Sequence, residues 1–304
     1  MSKHISVVFP GQGSQSLGML DSFSDNEILS TGYSPDIFDF NLIDIIKNDS
    51  ISLDKSFYTQ PAIVLSSIAY FKKLIRILPN MPDIFAGHSL GEYSALVASN
   101  SLDINTALSL VHKRGRLMSE SSNGAMLAVM GLSMEKIINV CNIINKNDSE
   151  SIELANINSS NQVVLGGYDS SIEISIDLLK EAGAKRCIKL KVSTASHCSL
   201  MKEVSLKFKD ELDKINIQEP ERDVIQNIDA KAHSDVHSIK LNLADQLTHP
   251  VQWIETMKTI NIHKGIIIEC GPGKVLSGLA KANGLDNILT MSSNTFEEDL
   301  RSLL

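Results

Sequence analysis

The chain has 304 residues, 43% of them hydrophobic and 21% charged, with a formal net charge of −8. That length holds two domains or one large domain with an insertion, and the composition is that of a globular enzyme. The acidic balance argues against general nucleic-acid binding and no apolar run approaches a membrane span, so neither nucleic acid nor membrane is expected as a partner.

Met1-Ser2-Lys3-His4 run straight into a strand-like segment, and no targeting segment is expected. Ile5-Ser6-Val7-Val8-Phe9 is an apolar strand ending in Pro10-Gly11-Gln12-Gly13-Ser14-Gln15. Two glycines directly behind a strand mark a loop whose backbone comes close to a ligand. The spacing is not G-x-G-x-x-G and no βαβ unit with a well-placed acid follows, which argues against a dinucleotide site. Residues 20–58 are polar and irregular with helical pieces. Thr59-Gln60-Pro61-Ala62 then opens a helix to about residue 77, with Pro61 suited to its first helical position.

Residues 84–86 are a short apolar run, followed by Gly87-His88-Ser89-Leu90-Gly91 and a helical segment over 92–99. This is the G-x-S-x-G pattern between strand and helix. A sharp turn there lifts the central serine above the sheet, and the N–H groups that open the helix face an oxyanion formed beside it. Ser89 is the candidate nucleophile; the plainer reading makes it a helix start with Ser89 near the N-cap. Residues 106–120 form an amphipathic helix on which Arg114 falls in the middle of the apolar face, among Ala107, Leu110, Val111, Leu117 and Met118. An inward guanidinium needs an anionic mate. The mate is either internal, with Glu92 a candidate, or the carboxylate of a substrate.

Residues 125–192 change character. Strands at 125–130, 152–157, 162–166 and 186–192 alternate with helices at 134–145 and 171–182, in the order βαββαβ of a ferredoxin-like unit. The expected fold is α/β: an α/β-hydrolase-like large domain, residues 1–124 and 193–304, with an inserted ferredoxin-like small domain, residues 125–192. The chain returns at Ser193-Thr194-Ala195-Ser196-His197. Helices are expected at 201–214, 239–247 and 253–259, strands at 223–228 and 265–269, and a last helix to about 282. Gly271-Pro272-Gly273-Lys274 continues with Val275 and is not a P-loop.

A serine nucleophile needs a base. Of the eight histidines, His88 should diverge from its neighbour Ser89, His4 precedes the first strand, His112 sits on a polar helix face, and His233 and His237 lie in a polar stretch. His197 lies in a small-residue loop where the insertion rejoins the core, a place that suits a cleft between domains. Asp83, Asp245 and Glu269 could each orient it, and pattern does not choose among them; nor does it separate hydrolysis by a serine esterase or thioesterase from acyl transfer. The four cysteines form no C-x-x-C and read as free thiols of a reducing cytoplasm. No Cys/His cluster implies a metal.

Several motifs in fixed order resemble the malonyl-CoA:acyl carrier protein transacylases of type II fatty-acid synthesis, nearly end to end. They include Phe9-Pro10-Gly11-Gln12-Gly13-Ser14-Gln15, Thr59-Gln60-Pro61-Ala62, Gly87-His88-Ser89-Leu90-Gly91-Glu92-Tyr93, Arg114-Gly115, Ser196-His197-Cys198, Pro250-Val251-Gln252-Trp253 and Gly271-Pro272-Gly273-Lys274. The resemblance implies a malonyl group moved from malonyl-CoA through an ester on Ser89 to the phosphopantetheine thiol of holo acyl carrier protein, with no permanently bound cofactor. It implies His197 as base and then acid, held by a backbone carbonyl near Gln246 and not by a carboxylate. It further implies the N–H groups of Gln12 and Leu90 as oxyanion hole, Arg114 as the grip on the malonyl carboxylate, and Gln60 and Asn158 as pocket residues. Lys185, Arg186, Lys189 and Lys191 are candidates for a basic patch facing an acidic carrier protein. Many relatives carry Pro or Phe near the histidine; here the run is Thr194-Ala195-Ser196-His197, which leaves methylmalonyl tolerance open.

Overall fold

Every residue of Ile5–Phe9 is apolar or small, and all five are buried. A strand with no wet face must be covered on both sides, as parallel strands are. The computed structural model describes residues 3–121, 124–147, 149–192 and 194–304; Met1, Ser2 and Ser193, the residue of the expected return to the large domain, lie outside these. Its strands in chain order are Ile5–Phe9 (β1), Ile84–Gly87 (β2), Ala125–Met130 (β3), Ile152–Ser159 (β4), Gln162–Gly167 (β5), Arg186–Lys189 (β6), Asp223–Ile225 (β7), Ile266–Glu269 (β8) and Ile288–Thr290 (β9).

Among the described residues β7-β2-β1-β8-β9 form a five-stranded sheet, parallel throughout. Successive side chains divide between its faces: Val7, Phe9, Phe85, Ile266 and Ile268 enter one core cluster, Val8, Ile84, Ala86 and Ile267 the other. The second sheet runs β4-β5-β3-β6 and is antiparallel. On one of its faces Leu127, Val129 and Leu165 pack with Ile137, Val140, Ile172 and Leu179 of two helices, Met134–Ile144 and Asp169–Glu181. Met126, Ala128, Ala155 and Val164 make a small cluster on the other. The smaller sheet is tied to the segment ahead of the helix Trp253–Asn261, where Ile157 N–H donates to the Val251 carbonyl and Val251 N–H to that of Ala155, both at 2.9 Å.

The long helix begins at Ser56, so Pro61 stands inside Ser56–Leu74 and not in its first turn. Proline has no N–H to offer the carbonyl four residues back, here that of Phe57. His112 Nδ1 takes that carbonyl instead, at 2.6 Å, among Phe38, Phe40 and Tyr58. His112 is thus half-buried rather than on a polar face. β6 ends at Lys189, three residues short of expectation, because Leu190 and Val192 turn toward the cleft described below. β7 ends at Ile225, where the next side chains, Gln226 and Asn227, reach back to Glu92 and to the turn after β2. The edge strand β9 and the helix Phe296–Leu303 have no counterpart in the sequence reading.

Candidate active site

The turn between β2 and the helix Gly91–Ala98 follows from two glycines. A Cβ on Gly87 would stand 1.9 Å from the Gly91 carbonyl carbon, and one on Gly91 would stand 2.1 Å from the Phe9 carbonyl oxygen. Only glycine lets strand and helix cross this closely. Between them Ser89 adopts φ of 52°, a conformation that costs a non-glycine residue about 1–3 kcal/mol and persists only where the surroundings impose it. Asn227 is the imposing group: its Oδ1 accepts from Ser89 N–H at 2.6 Å and its Nδ2 donates to the Gly87 carbonyl at 2.7 Å.

Ser89 Oγ lies 2.8 Å from His197 Nε2. His197, also at positive φ (63°), is 2% exposed, and its Nδ1 donates to the backbone carbonyl of Gln246 at 2.6 Å. Burial, then the charge of Arg114, push the imidazole down to about 3; the Gln246 carbonyl only partly opposes them. The ring is therefore neutral, with Nδ1 protonated and the Nε2 lone pair facing the serine hydroxyl. Of the three carboxylates that pattern left open, none orients it. Asp83 accepts from Ile5 N–H, and Glu269 accepts from the Leu276 and Ser277 N–H groups at the start of a helix.

Arg114 is 1% exposed on the helix Ile104–Ser119. Its Nη1 donates to Gln60 Oε1 at 3.0 Å, and its Nη2 to Gln246 Oε1 at 3.1 Å and Ser89 Oγ at 3.4 Å. Its Nε has no partner, and the Tyr93 ring lies under the guanidinium at 5.7 Å. Among the described residues no carboxylate is within ion-pair distance of it, so the internal pair with Glu92 is not formed. Glu92 lies one amide further back: its carboxylate accepts from Gln226, the Asn227 backbone and Gln246. A buried cation whose partners are all neutral can receive an anion at low desolvation penalty.

Ser89, His197 and Arg114 share a cleft of about 110 Å³ with Gln12, Met118, Met126, Asn156, Leu190, Val192, Thr194 and Ser196. Wider clefts elsewhere, such as that between Asp25 and Ile43, hold none of this chemistry. The N–H groups of Gln12 and Leu90 donate to no acceptor among the described residues. Asn158 sits behind His88, accepting at 2.9 Å from its Nε2, whereas Asn156, two residues earlier, lines the cleft with its Oδ1 unpartnered. Asn156 and Asn227 belong to the site without having been singled out from sequence, and Glu92 was named only as a direct mate for Arg114. His88 diverges from Ser89 toward Asn158 and Trp253. His233 and His237 stand four residues apart, but His233 bonds Asp229, and among the described residues no three potential ligands gather to hold a metal. Of the basic residues on β6 and after it, Lys189 is spent on Asp169 and Glu173.

Residues 7–284 match the acyl transferase domain family. The chain is 39% identical to a malonyl CoA-acyl carrier protein transacylase of Haemophilus influenzae, covering 92% of each, and 38% identical to one of Staphylococcus aureus, covering 98% of this chain and 97% of that one. Among solved structures, the malonyl CoA-acyl carrier protein transacylase of Coxiella burnetii superposes with a TM-score of 0.92 at 34% identity, over 100% of this chain and 98% of that one. A malonyl-transacylase in complex with its type II polyketide synthase acyl-carrier protein superposes with a TM-score of 0.90 at 34% identity, over 99% of both. With its serine–histidine pair and inward arginine, the chain belongs to the acyl transferase domain family, among the malonyl CoA-acyl carrier protein transacylases.

Proposed function

We propose that this enzyme transfers a malonyl group from malonyl-CoA to the phosphopantetheine thiol of holo acyl carrier protein by a two-step exchange through Ser89. The observation that carries the reading is the buried, carboxylate-free guanidinium of Arg114, held 3.4 Å from the Ser89 hydroxyl. An esterase has no use for such a cation; a substrate with a free carboxylate beside its thioester does. In the first step Ser89 Oγ attacks the thioester carbon while its proton passes to His197 Nε2. The oxyanion collects the N–H groups of Gln12 and Leu90. The C–S bond then breaks and coenzyme A leaves with the proton from His197. In the second step His197 takes the proton of the carrier thiol, the sulfur attacks the ester, and Ser89 recovers its proton. Gln246 orients the ring through its main chain, and Gln60 holds the guanidinium in place.

Arg114 lowers the basicity of His197, so a malonyl carboxylate bound to Arg114 cancels that repulsion and makes the imidazole a better base. The correct substrate thereby activates its own catalyst, and acyl-CoA thioesters without a free carboxylate do not. A narrow cleft limits competing water.

The architecture fits an α/β-hydrolase-like large domain, residues 1–124 and 193–304, interrupted by a ferredoxin-like one, residues 125–192; the order β4-β5-β3-β6 supports the latter. No helix among the described residues is long and apolar enough to cross a membrane; the cytoplasm is the proposed place of work. The reading needs no resident cofactor, metal, nucleic acid or membrane. A panel of malonyl-, methylmalonyl-, acetyl- and butyryl-CoA with holo carrier protein tests it. Malonyl transfer should dominate; equal transfer of acetyl groups, or release of free malonate faster than transfer, would overturn it.

A further inference from the structure

Glu92 is a buried carboxylate, 1% exposed, that takes no part in the exchange just described. We propose that it is a positioning residue for the Arg114 clamp, acting through the side chain of Gln246. The proposal rests on the reading of Arg114 as the grip on the acyl carboxylate. Gln246 Nε2 faces two acceptors, Glu92 Oε2 at 2.9 Å and the Ser89 carbonyl at 3.1 Å; N–H groups are directed at both Glu92 oxygens, an arrangement that fits the ionised, acceptor-only carboxylate. An amide between two acceptors has one orientation, nitrogen toward them. Its oxygen is then forced toward Arg114 Nη2, 3.1 Å away. Turned over, the amide would aim N–H at N–H and drive the guanidinium off Ser89. Glu92 also accepts from the Asn227 backbone at 3.0 Å, and Asn227 is the residue that grips the strained Ser89 turn. The Ser89 turn keeps its own grip from the Asn227 side chain, so loss of the bond between Glu92 and Gln246 falls on the clamp.

The single amide between the charges matters. A carboxylate in direct contact with Arg114 would neutralise it and occupy the N–H groups a substrate needs. Held one residue behind, Glu92 offsets part of the buried positive charge and leaves the guanidinium unclaimed.

The test is Ser89 acylation by malonyl-CoA and by acetyl-CoA, followed by intact mass after rapid quenching. Glu92→Gln keeps the side chain's shape but replaces one acceptor oxygen with a donor. The expected result is a rise of about tenfold or more in KM for malonyl-CoA, with acetylation within about threefold of the wild-type rate. Glu92→Asp retains an acceptor-only group and should raise KM less; it carries the test if the amide variant does not fold. The exchange Glu92→Gln with Gln246→Glu puts the carboxylate directly on Arg114 and should abolish the preference for malonyl over acetyl, whatever the absolute rates. An unchanged KM in Glu92→Gln, or equal losses for the two acyl groups, overturns the proposal. Failure of the wild-type chain to take up malonyl at all overturns the reading of the site itself, and is scored before any variant is made.

Discussion

The two largest influences on the His197 imidazole are separable: burial, which is the larger, and the guanidinium of Arg114. Replacing Arg114 with alanine removes the second and leaves the first. The ring should therefore titrate above its present value of about 3 yet below the 6.5 of a free histidine, read from its resonances in an NMR pH series. An unchanged titration would mean the two groups are not electrostatically coupled and the substrate-activation step is wrong. At this scale the sequence was informative where one residue broke a local pattern. Arg114 interrupts an apolar helix face, Ser89 sits between glycines after a strand, and His197 stands in a loop of small residues. It was silent where the partner is remote. Nothing near Glu92 announces Gln226 or Asn227, more than 130 positions away. Asn156 and Asn158 share one strand, and the choice between them turned on which is directed into the cleft rather than behind His88.

The strand–turn–helix unit carries the nucleophile, and its glycines should be intolerant of even one methyl group. Gly91→Ala sets a Cβ against the Phe9 carbonyl at 2.1 Å, so the variant should lose roughly 3 kcal/mol or more in denaturant unfolding, or fail to fold. Gly278 is the contrast. It lies in the helix Val275–Ala282 with open space where a Cβ would go. Gly278→Ala should stabilise the protein by about 0.5–1 kcal/mol, because alanine loses less conformational freedom in a helix than glycine does. Equal effects of the two substitutions would refute the close-crossing account of the turn. Long periodic elements were legible within a few residues, including the two strands that flank the site. The misplaced start of the helix Ser56–Leu74 has a specific cause: Pro61 reads as a first-turn residue until the carbonyl it leaves free is seen to be taken by His112.

Across the whole molecule, the smaller sheet supplies Met126, Asn156 and, just past its edge strand, Leu190 and Val192 as one wall of the cleft. A Cβ on Gly124 would lie 2.9 Å from the Ala195 backbone nitrogen, so the two ends of the proposed insertion meet. On the two-domain reading, excising residues 125–192 with a short glycine link should leave a chain that still unfolds cooperatively but no longer holds a malonyl ester, as read by circular dichroism and intact mass. Loss of cooperative folding would count against that division. Acid should weaken the intact protein in a set direction. His197, His88, His112 and His4 are all lowered from the ordinary histidine value in the fold, mainly by burial. The unfolded chain then binds more protons than the native one below about pH 6.5, so their contribution is present above that pH and is lost as pH falls toward their folded values. Burial raises Glu92 to about 7, and its contribution runs the other way, present below about pH 4.5 and lost as pH rises through 7. The melting temperature should therefore fall on acidification below 6.5, and a rise would contradict these assignments. The most direct measurement of the central claim is the intact mass of the wild-type protein quenched seconds after mixing with malonyl-CoA, with peptide mapping. The account predicts one malonyl group on Ser89, absent from Ser89→Ala and much reduced in Arg114→Ala; a malonyl group on another residue, or on the Ser89→Ala chain, would contradict it.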